Sequence, residues 1–363
     1  MVQLTLNGQL QGINIETGKL TMSNDVAPID PVDLRELLQE PFKPIPWIVE
    51  NLICYPGLYI LAGPPKSGKS WLVIDLQAAI ACGLNFFGFE THKVKVLYLA
   101  LEDTIERVHR RACKILDELP GKMDIVTSAK SLNNGFLNQL EEYIQDNPDC
   151  KLIVIDTLQM IRDNKNEFSY ANDYREMSRL KKFADQHQVT ILAVHHARKM
   201  GDSDVFNTVS GTNGITGCAD GTFVLSLISR ADGTAFLTFT GRDSEMCELQ
   251  IKLENCKWKL ERRTSKEELE ERDIPDEVLR TVEFMNDRPE GWRGTTSELY
   301  RAVEITEISV EAFGKRLAQH SLFLSSRNIE FKREHTSKGT YLRLSHESNK
   351  NSDDEIETQS LNK

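Results

Sequence analysis

Short apolar runs alternate with amphipathic segments between residues 47 and 200 of the chain. The apolar runs have the length of buried strands and cover Leu58–Ala62, Val94–Leu99, Lys151–Ile155 and Val189–Val194. The segments between them carry apolar residues at helical spacing and predict helices over Ile105–Leu116, Phe136–Ile144 and Asn172–His187. Strands that are separated by helices pair in parallel and are covered on both faces. The pattern therefore predicts an α/β fold with a mainly parallel sheet.

The pattern changes on both sides of this region. After Gly221 it predicts strands without helices, over Thr222–Leu227, Ala235–Thr240, Leu249–Leu253 and Cys256–Leu260. We expect these strands to be antiparallel additions at one edge of the sheet. Before the core, residues 1–43 predict an N-terminal arm, with a small hairpin or a loose stretch up to Asp25 and a short helix at Asp33–Leu38.

A second, smaller domain is predicted near the C-terminus. Its helices are predicted over Asp276–Met285, Thr296–Val303 and Ser309–Gln319, followed by strands over Ile329–Lys332 and Thr340–Leu344. This order is typical of a winged helix-turn-helix. The sequence thus predicts a core at 44–262, a charged linker with a helix as one option at 263–275, a winged-helix-like domain at 276–346 and a disordered acidic tail at 347–363.

The composition allows two domains and limits the partners. The 363 residues are 40% hydrophobic and carry a net charge of -11, so nucleic-acid binding would depend on local basic patches. Seven scattered cysteines without a C-x-x-C pair favour reduced thiols in the cytoplasm and indicate no zinc site. The apolar runs are too short to span a membrane, and the N-terminus lacks the pattern of a secretion signal, so no membrane partner is expected.

One motif predicts phosphate binding. Residues Gly63–Ser70 fit G-x-x-x-x-G-K-[ST], with a strand-like run before the motif and a helical pattern after it. Such a loop presents backbone N–H groups and a helix N-terminus to the phosphates. Lys69 would reach the β- and γ-phosphates, and Ser70 would hold Mg²⁺, so ATP and Mg²⁺ are the predicted cofactors. The candidate nucleotide-binding residues of the loop are Gly63, Pro64, Pro65, Lys66, Ser67, Gly68, Lys69 and Ser70.

Two acidic residues follow predicted strands. Asp156 ends a buried run and is a candidate for the Mg²⁺ shell, with a helix N-cap as the alternative. Glu102 ends the run that begins at Val94 and is a candidate general base for the attacking water. Asp103 competes for that role, but it also suits a helix N-cap before Ile105.

Two further positions suggest sensing and transition-state stabilisation. His195 and His196 end the run that starts at Val189, and His196 is favoured as a γ-phosphate sensor over His195; the alternative is one core and one surface histidine. Arg242 lies on a predicted edge hairpin, where it could cross a subunit boundary and stabilise charge on a neighbour's nucleotide. The alternative for Arg242 is a surface salt bridge with Asp243 or Glu245.

Basic residues at two places are candidates for nucleic-acid contact. In the core they lie in polar loops that follow predicted strands, at Lys165, Arg198 and Lys199. In the C-terminal domain they form a local basic face with Lys315, Arg316, Lys332, Arg333 and Lys338. The alternatives are solvated loops in the core and a protein-binding C-terminal domain.

Together these motifs resemble a known family. The phosphate loop, Glu102, Asp156, the His195–His196 pair with Lys199, and Gly241–Asp243 occur in the order of the RecA-like AAA-type ATPase family that contains the plasmid replicative helicase RepA. The resemblance covers roughly residues 44–260. It implies a RecA fold, ring hexamers, ATP and Mg²⁺ at subunit interfaces and single-stranded DNA as a partner. It also implies that Glu102 activates water, that His196 senses the γ-phosphate and that Arg242 acts in trans.

Several functions are compatible with these features. A DNA-dependent ATPase, acting as a hexameric helicase in replication of a plasmid, phage or mobile element, is the leading hypothesis. The alternative is a RecA-like nucleic-acid-binding ATPase that does not unwind, such as a recombination mediator, helicase loader or regulator. A small-molecule kinase shares the phosphate loop but predicts a substrate lid, of which the sequence gives no clear sign. A DNA-binding switch that holds ATP without turnover would not need Glu102.

Overall fold

The computed structural model describes residues 2–6, 9–13, 20–21, 31–42, 44–118, 121–163, 169–197, 204–209, 213–229, 231–272, 274–336 and 339–346. The chain divides into two compact units, residues 1–45 and 46–363. Four of the candidate nucleic-acid contacts, Lys165, Arg198, Lys199 and Lys338, lie outside the described residues. The acidic segment at 347–363 also lies outside them.

The first unit contains a small antiparallel sheet and one turn of helix. Its elements are β1 (Val2–Leu6), β2 (Gln9–Ile13), β3 (Leu20–Thr21) and α1 (Leu34–Leu37). The strands pair in the order β1-β2-β3, so the N-terminal residues form a hairpin and not a loose arm. The carboxylate of Asp33 accepts a hydrogen bond from the backbone N–H of Arg35 and caps the predicted short helix.

The second unit opens with two short strands, β4 (Trp47–Val49) and β5 (Ile53–Cys54). Its central elements follow as β6 (Gly57–Gly63), α2 (Lys69–Cys82), β7 (Lys95–Ala100), α3 (Ile105–Ile115), β8 (Met123–Val126), α4 (Phe136–Asp146), β9 (Cys150–Asp156), α5 (Leu158–Ile161), α6 (Tyr170–His187), β10 (Thr190–His196), α7 (Asn213–Gly217), β11 (Gly221–Ser229), β12 (Thr234–Gly241), β13 (Cys247–Glu254) and β14 (Lys257–Thr264). Short 3-10 turns cover Leu132–Asn134 and Val205–Thr208.

The central sheet has nine strands in the order β8-β7-β9-β10-β6-β11-β12-β13-β14. Neighbours from β8 to β11 are parallel, and neighbours from β11 to β14 are antiparallel. Separate apolar clusters cover the two faces, one built around α2 and the other around α4 and α6. The prediction of an α/β fold with a mainly parallel sheet and antiparallel strands at one edge is confirmed, and the predicted phosphate loop lies between β6 and α2.

The strand register brings four strand ends to one edge of the sheet. His196 of β10 lies opposite Gly63 of β6, and Val194 lies opposite Asp156 of β9. Asp156 in turn lies opposite Ala100, the last residue of β7. Because the carboxyl ends of parallel strands share an edge, the phosphate loop, Asp156, His196 and the residues after β7 meet there.

The segment predicted as a linker at 263–275 is more ordered than its charge suggests. Strand β14 extends to Thr264, and helix α8 (Lys266–Arg272) follows directly. β14 is the outermost strand of the sheet, and its residues 259–263 are all exposed, whereas Trp258 and Thr264 are buried. The Arg263 guanidinium lies 4.3 Å from the centre of the Phe89 ring, and Arg272 pairs with Glu248 of β13 at 2.8 Å. Charge density here therefore marks the exposed residues of an outermost strand and the helix that follows it.

The C-terminal residues form three longer helices, one short helix and a small sheet. The elements are α9 (Asp276–Asn286), β15 (Trp292–Gly294), α10 (Thr296–Ala302), α11 (Val310–Gln319), α12 (Ser321–Ser326), β16 (Ile329–Thr336) and β17 (Gly339–His346). The three strands are antiparallel in the order β15-β17-β16. Thr295 caps α10 in a capping box with Glu298, and Ser309 caps α11. Their core includes Val278, Leu299, Phe313, Leu317 and Leu342.

Two findings bear on the environment of the protein. Within the described ranges, no helix is long and apolar enough to cross a membrane. All seven cysteines are free, and four of them are buried.

Candidate active site

A cavity of about 320 Å³ lies at the carboxyl edge of the parallel strands. It is lined by the second half of the phosphate loop and by side chains from three other parts of the sheet edge. The lining residues are Lys66, Ser67, Gly68, Lys69, Ser70, Trp71, Glu102, Arg111, Asp156, Thr157 and His196. The fold therefore brings together the residues that the sequence predicts to bind phosphate, to bind the metal and to act as general base.

The phosphate loop has the geometry that its sequence predicts. Gly68 has a φ of 92°, a conformation that L side chains rarely adopt, and it immediately precedes α2. Lys69 is buried, and its Nζ donates hydrogen bonds to the carbonyl oxygens of Gly63 and Pro64, each at 2.8 Å. Burial lowers the pKa of Lys69, while the charges of Asp156 and Glu102 oppose that shift. An anion in the loop would favour the charged form of this amine.

Asp156 and Ser70 lie together on the floor of the cavity. Asp156 is buried and accepts a hydrogen bond from the Tyr98 hydroxyl at 3.0 Å. Burial raises the pKa of Asp156, and hydrogen bonds from Ser70 and Tyr98 oppose the rise. A bound cation would remove the cost of burying the ionised carboxylate. The alternative role of Asp156 as a helix N-cap is not seen, because α5 follows the cap residue Thr157.

The two neighbouring acids after β7 have different surroundings. Glu102 lines the cavity and accepts a hydrogen bond from the Thr157 hydroxyl at 2.8 Å. Asp103 forms ion pairs with Arg107 at 3.0 Å and with Arg111. Glu102 is therefore the carboxylate that faces the cavity. The predicted N-cap role of Asp103 is wrong, because the Thr104 side chain accepts the hydrogen bond from the backbone of Arg107 and caps α3.

The two histidines at the end of β10 face different environments. His195 is buried at 4% exposure and does not line the cavity, whereas His196 lines it. Successive residues of a strand point to opposite faces, which explains the difference. The geometry thus agrees with the preference for His196 as the residue near the phosphates.

The side chains present fit a magnesium nucleotide. Ser67 Oγ and His196 Nδ1 are buried and have no hydrogen-bond partner within the part of the chain that the structure describes. Buried polar atoms are normally paired, and phosphate oxygens would supply partners here. Mg²⁺ usually takes one or two protein ligands and completes its shell with phosphates and water, which suits Ser70 and Asp156.

The family comparison agrees with this geometry. Residues 24–202 match the family model of an AAA domain. The matched segment contains the phosphate loop, Glu102, Asp156 and both histidines, so it supports nucleotide binding at this cavity. Strands β11 to β14, Arg242 and the C-terminal helices lie outside the match. No curated protein shows significant sequence similarity to the chain.

Solved structures with a similar fold include three at low sequence identity. One solved ATPase domain is 13% identical over 56% of this chain and 84% of that chain, with a TM-score of 0.42. A KaiC-like protein from Pyrococcus horikoshii OT3 is 16% identical over 60% and 96%, with a TM-score of 0.44. A DnaB-like replicative helicase, described together with its interactions with primase, is 13% identical over 62% of this chain and 66% of that chain, with a TM-score of 0.49. At these values the likeness carries no conclusion about activity or assembly.

Arg242 lies at the amino ends of the parallel strands, on the side of the sheet opposite to the cavity. Gly241 pairs with Gly221, which lies beside Tyr59 near the amino end of β6, whereas the phosphate loop follows the carboxyl end of β6. Arg242 lies between β12 and β13, in the antiparallel addition to the sheet, of which β14 is the outermost strand. The guanidinium is 58% exposed and lies 3.5 Å from a carboxylate oxygen of Asp220. Arg242 cannot reach the cavity of its own chain from this position.

The basic residues of the C-terminal segment that are candidates for nucleic-acid contact differ in whether their side chains already contact other groups of the chain. Arg316 pairs with Glu277, Lys332 pairs with Glu330 at 2.9 Å, and Arg333 donates to the carbonyl of Gly314. Lys315 is exposed on α11. Residues 276–346 contain eleven acidic and eleven basic side chains, so the segment has no net charge with histidine neutral.

Sequence reasoning missed three residues of the cavity. Arg111 and Trp71 line it together, with the guanidinium 5.7 Å from the ring centre. Thr157 directly follows Asp156 and donates to Glu102. The spacing of Asp103, Arg107 and Arg111 at every fourth position was a usable signal, because such residues share one face of a helix. The position of Trp71 depended on tertiary packing.

Proposed function

We propose that this chain is a DNA-dependent ATPase that acts as a hexameric, RepA-like helicase in replication of a plasmid, phage or other mobile element. The observation that carries the proposal is the convergence of Lys69, Ser70, Asp156, Glu102 and His196 on one cavity. Free cysteines support a reducing compartment such as the cytoplasm.

The proposed chemistry assigns one task to each residue. The loop backbone and Lys69 hold the phosphates, and Ser70 and Asp156 hold Mg²⁺, which when bound neutralises phosphate charge. Glu102 accepts a proton from the attacking water, with Thr157 fixing its carboxylate. His196 contacts the γ-phosphate and reports its loss to the segment that follows β10.

Nucleic acid is proposed to bind at two places. Arg198 and Lys199 come two and three residues after His196 in sequence, and Lys165 belongs to the polar stretch of sequence after α5, so these residues are proposed to contact the phosphates of single-stranded DNA. We also propose that residues 276–346 form a winged helix, which the order of helices and antiparallel strands supports. In that domain Lys315, Arg316, Lys332, Arg333 and Lys338 remain the candidate contacts.

The proposal is tested by steady-state ATP hydrolysis with and without single-stranded DNA, together with particle mass with and without ATP. Wild type should be stimulated by DNA and should form a ring that ATP favours. Lys69→Ala should lose hydrolysis under both conditions, because the phosphates lose their buried cation. A monomer whose hydrolysis ignores nucleic acid would rule out the motor.

The charge balance of the C-terminal segment favours a second candidate. With most of its basic side chains paired, this domain could bind a protein, and the chain would then be a RecA-like ATPase that acts as a mediator, loader or regulator without unwinding. Strand separation by the purified ring decides between the two. DNA-stimulated hydrolysis without strand separation would select the second candidate.

Lys315→Ala tests the C-terminal contact. If Lys315 binds a phosphate, the substitution should weaken DNA binding and reduce the slope of log K against log salt by about 1. The measurement is a salt series of DNA affinities. Arg280→Ala is the control, because Arg280 pairs with Asp276 and is not a candidate contact. An unchanged slope would favour protein contact.

A further inference from the structure

A tryptophan outside the matched family segment touches the phosphate loop. Trp258 lies on β14, is 2% exposed and donates a hydrogen bond from Nε1 to the carbonyl oxygen of Gly68 at 3.2 Å. That carbonyl belongs to the residue immediately before Lys69. The same carbonyl oxygen accepts a hydrogen bond from the backbone N–H of Leu72 at 3.1 Å. The indole therefore donates a second hydrogen bond to an acceptor in the first turn of α2.

The indole also fills the space beside the loop. A Cβ atom at Gly68 would lie 2.8 Å from Cζ2 of Trp258. Such an approach is closer than real side chains tolerate, so the ring and the loop backbone are in direct contact. Gly68 is required both for its positive φ and for this approach.

A second contact ties the same strand to the same helix. Lys257 Nζ lies 3.6 Å from a carboxylate oxygen of Asp75 on α2. Asp75 is buried, and burial raises its pKa while Lys257 opposes the rise. Strand β14 thus contacts α2 at its N-terminus and again about two turns later.

Packing in the core and a directional hydrogen bond both hold the indole, which also adjoins a cavity. The cavity has a volume of about 220 Å³ and is lined in part by Asp75, Phe86, Phe87 and Lys257. Because a hydrogen bond is directional, the bond to Gly68 fixes the orientation of the ring relative to the phosphate loop.

From these contacts we infer that Trp258 is a positioning residue, which holds the phosphate loop in its nucleotide-binding conformation. The inference rests on the proposed ATPase function. A tryptophan that served only the hydrophobic core would affect stability and leave nucleotide affinity unchanged. Binding and stability therefore have to be measured on the same variants.

The test compares wild type, Trp258→Phe and Trp292→Phe as full chains. Phenylalanine at 258 keeps an aromatic ring but loses the N–H donor to Gly68. Calorimetric titration with Mg–ATP should show roughly two- to tenfold weaker binding, as expected for a lost neutral hydrogen bond. The kcat at saturating ATP should stay within about twofold, because the groups that act on the water are untouched. Trp292→Phe removes an indole from the C-terminal core and should bind Mg–ATP like wild type.

Two results would overturn the inference. The first is a folded Trp258→Phe that binds Mg–ATP as tightly as wild type. The second comes from indole fluorescence in a Trp71→Phe background, in which calorimetry first establishes that Mg–ATP binds, because Trp71 lines the cavity and is the other tryptophan near the phosphate loop. Mg–ATP should still change the emission there, and its failure to do so would contradict contact between Trp258 and the loop, even if Trp258→Phe does not fold. A wild type that binds no Mg–ATP would instead refute the proposed function itself.

Discussion

Glu102→Gln is expected to lower kcat for ATP hydrolysis by about 10²- to 10⁴-fold while Mg–ATP binding is retained. Glutamine keeps the size of the side chain and can still accept the hydrogen bond from Thr157, but it cannot take a proton from water. The measurement pairs single-turnover hydrolysis with a binding titration. Retained binding with lost turnover would separate the chemical role of Glu102 from a structural one.

Asp103→Asn is the matched control for this variant. It changes the adjacent carboxylate, which pairs with Arg107 and Arg111 instead of facing the cavity. We expect a much smaller loss of kcat than in Glu102→Gln. If Asp103→Asn were the inactive variant and Glu102→Gln remained active, the assignment of the general base would be reversed.

Arg242→Ala is expected to lower hydrolysis by about 10³-fold or more, the range typical of arginine fingers, without weakening Mg–ATP binding to the isolated chain. The reason is geometric. Arg242 lies at the sheet edge opposite to its own phosphate loop, so it can act only on a nucleotide held by a neighbouring chain. Arg242→Lys should restore little activity, because the amine lacks the planar fork.

Mixing provides the decisive measurement for Arg242. Arg242→Ala and Lys69→Ala are each expected to be inactive, yet mixed rings contain interfaces with an intact Lys69 from one chain and an intact Arg242 from the next. Some activity should return on mixing. Arg262→Ala, an exposed arginine on β14, should behave as wild type. Confirmed mixed rings without recovered activity would exclude action in trans.

Much of the fold followed from local patterns. The apolar runs and helical spacings located the strands and helices of the core to within a few residues, since buried strands and amphipathic helices leave periodic signals. The charged segment expected as a linker at 263–275 begins with the last residues of β14 and continues as helix α8, and the exposed residues of β14 are as polar as those of a loop. For β11 to β14, the sequence predicted antiparallel strands at one edge of the sheet but did not predict their order or register.

The candidate site was predictable in part for the same reason. A phosphate loop is a contiguous motif, and Asp156 directly follows a recognisable strand, so neither needs knowledge of the rest of the fold. The selection between Glu102 and Asp103 did need it, because both follow β7 and only their surroundings differ. The positions of Trp71 and Trp258 depend on neighbours that are distant in sequence.

The sequence by itself determined that this chain has a phosphate loop between a strand and a helix, in an α/β core with acidic residues after two strands. These features are local, because the spacing of apolar residues and the glycines of the phosphate loop are enough to encode them. Tertiary structure alone decided that His196 and not His195 faces the cavity, that Arg242 lies at the far edge and that Trp258 touches Gly68. Those facts depend on strand order and register, which arise from packing between segments far apart in the chain.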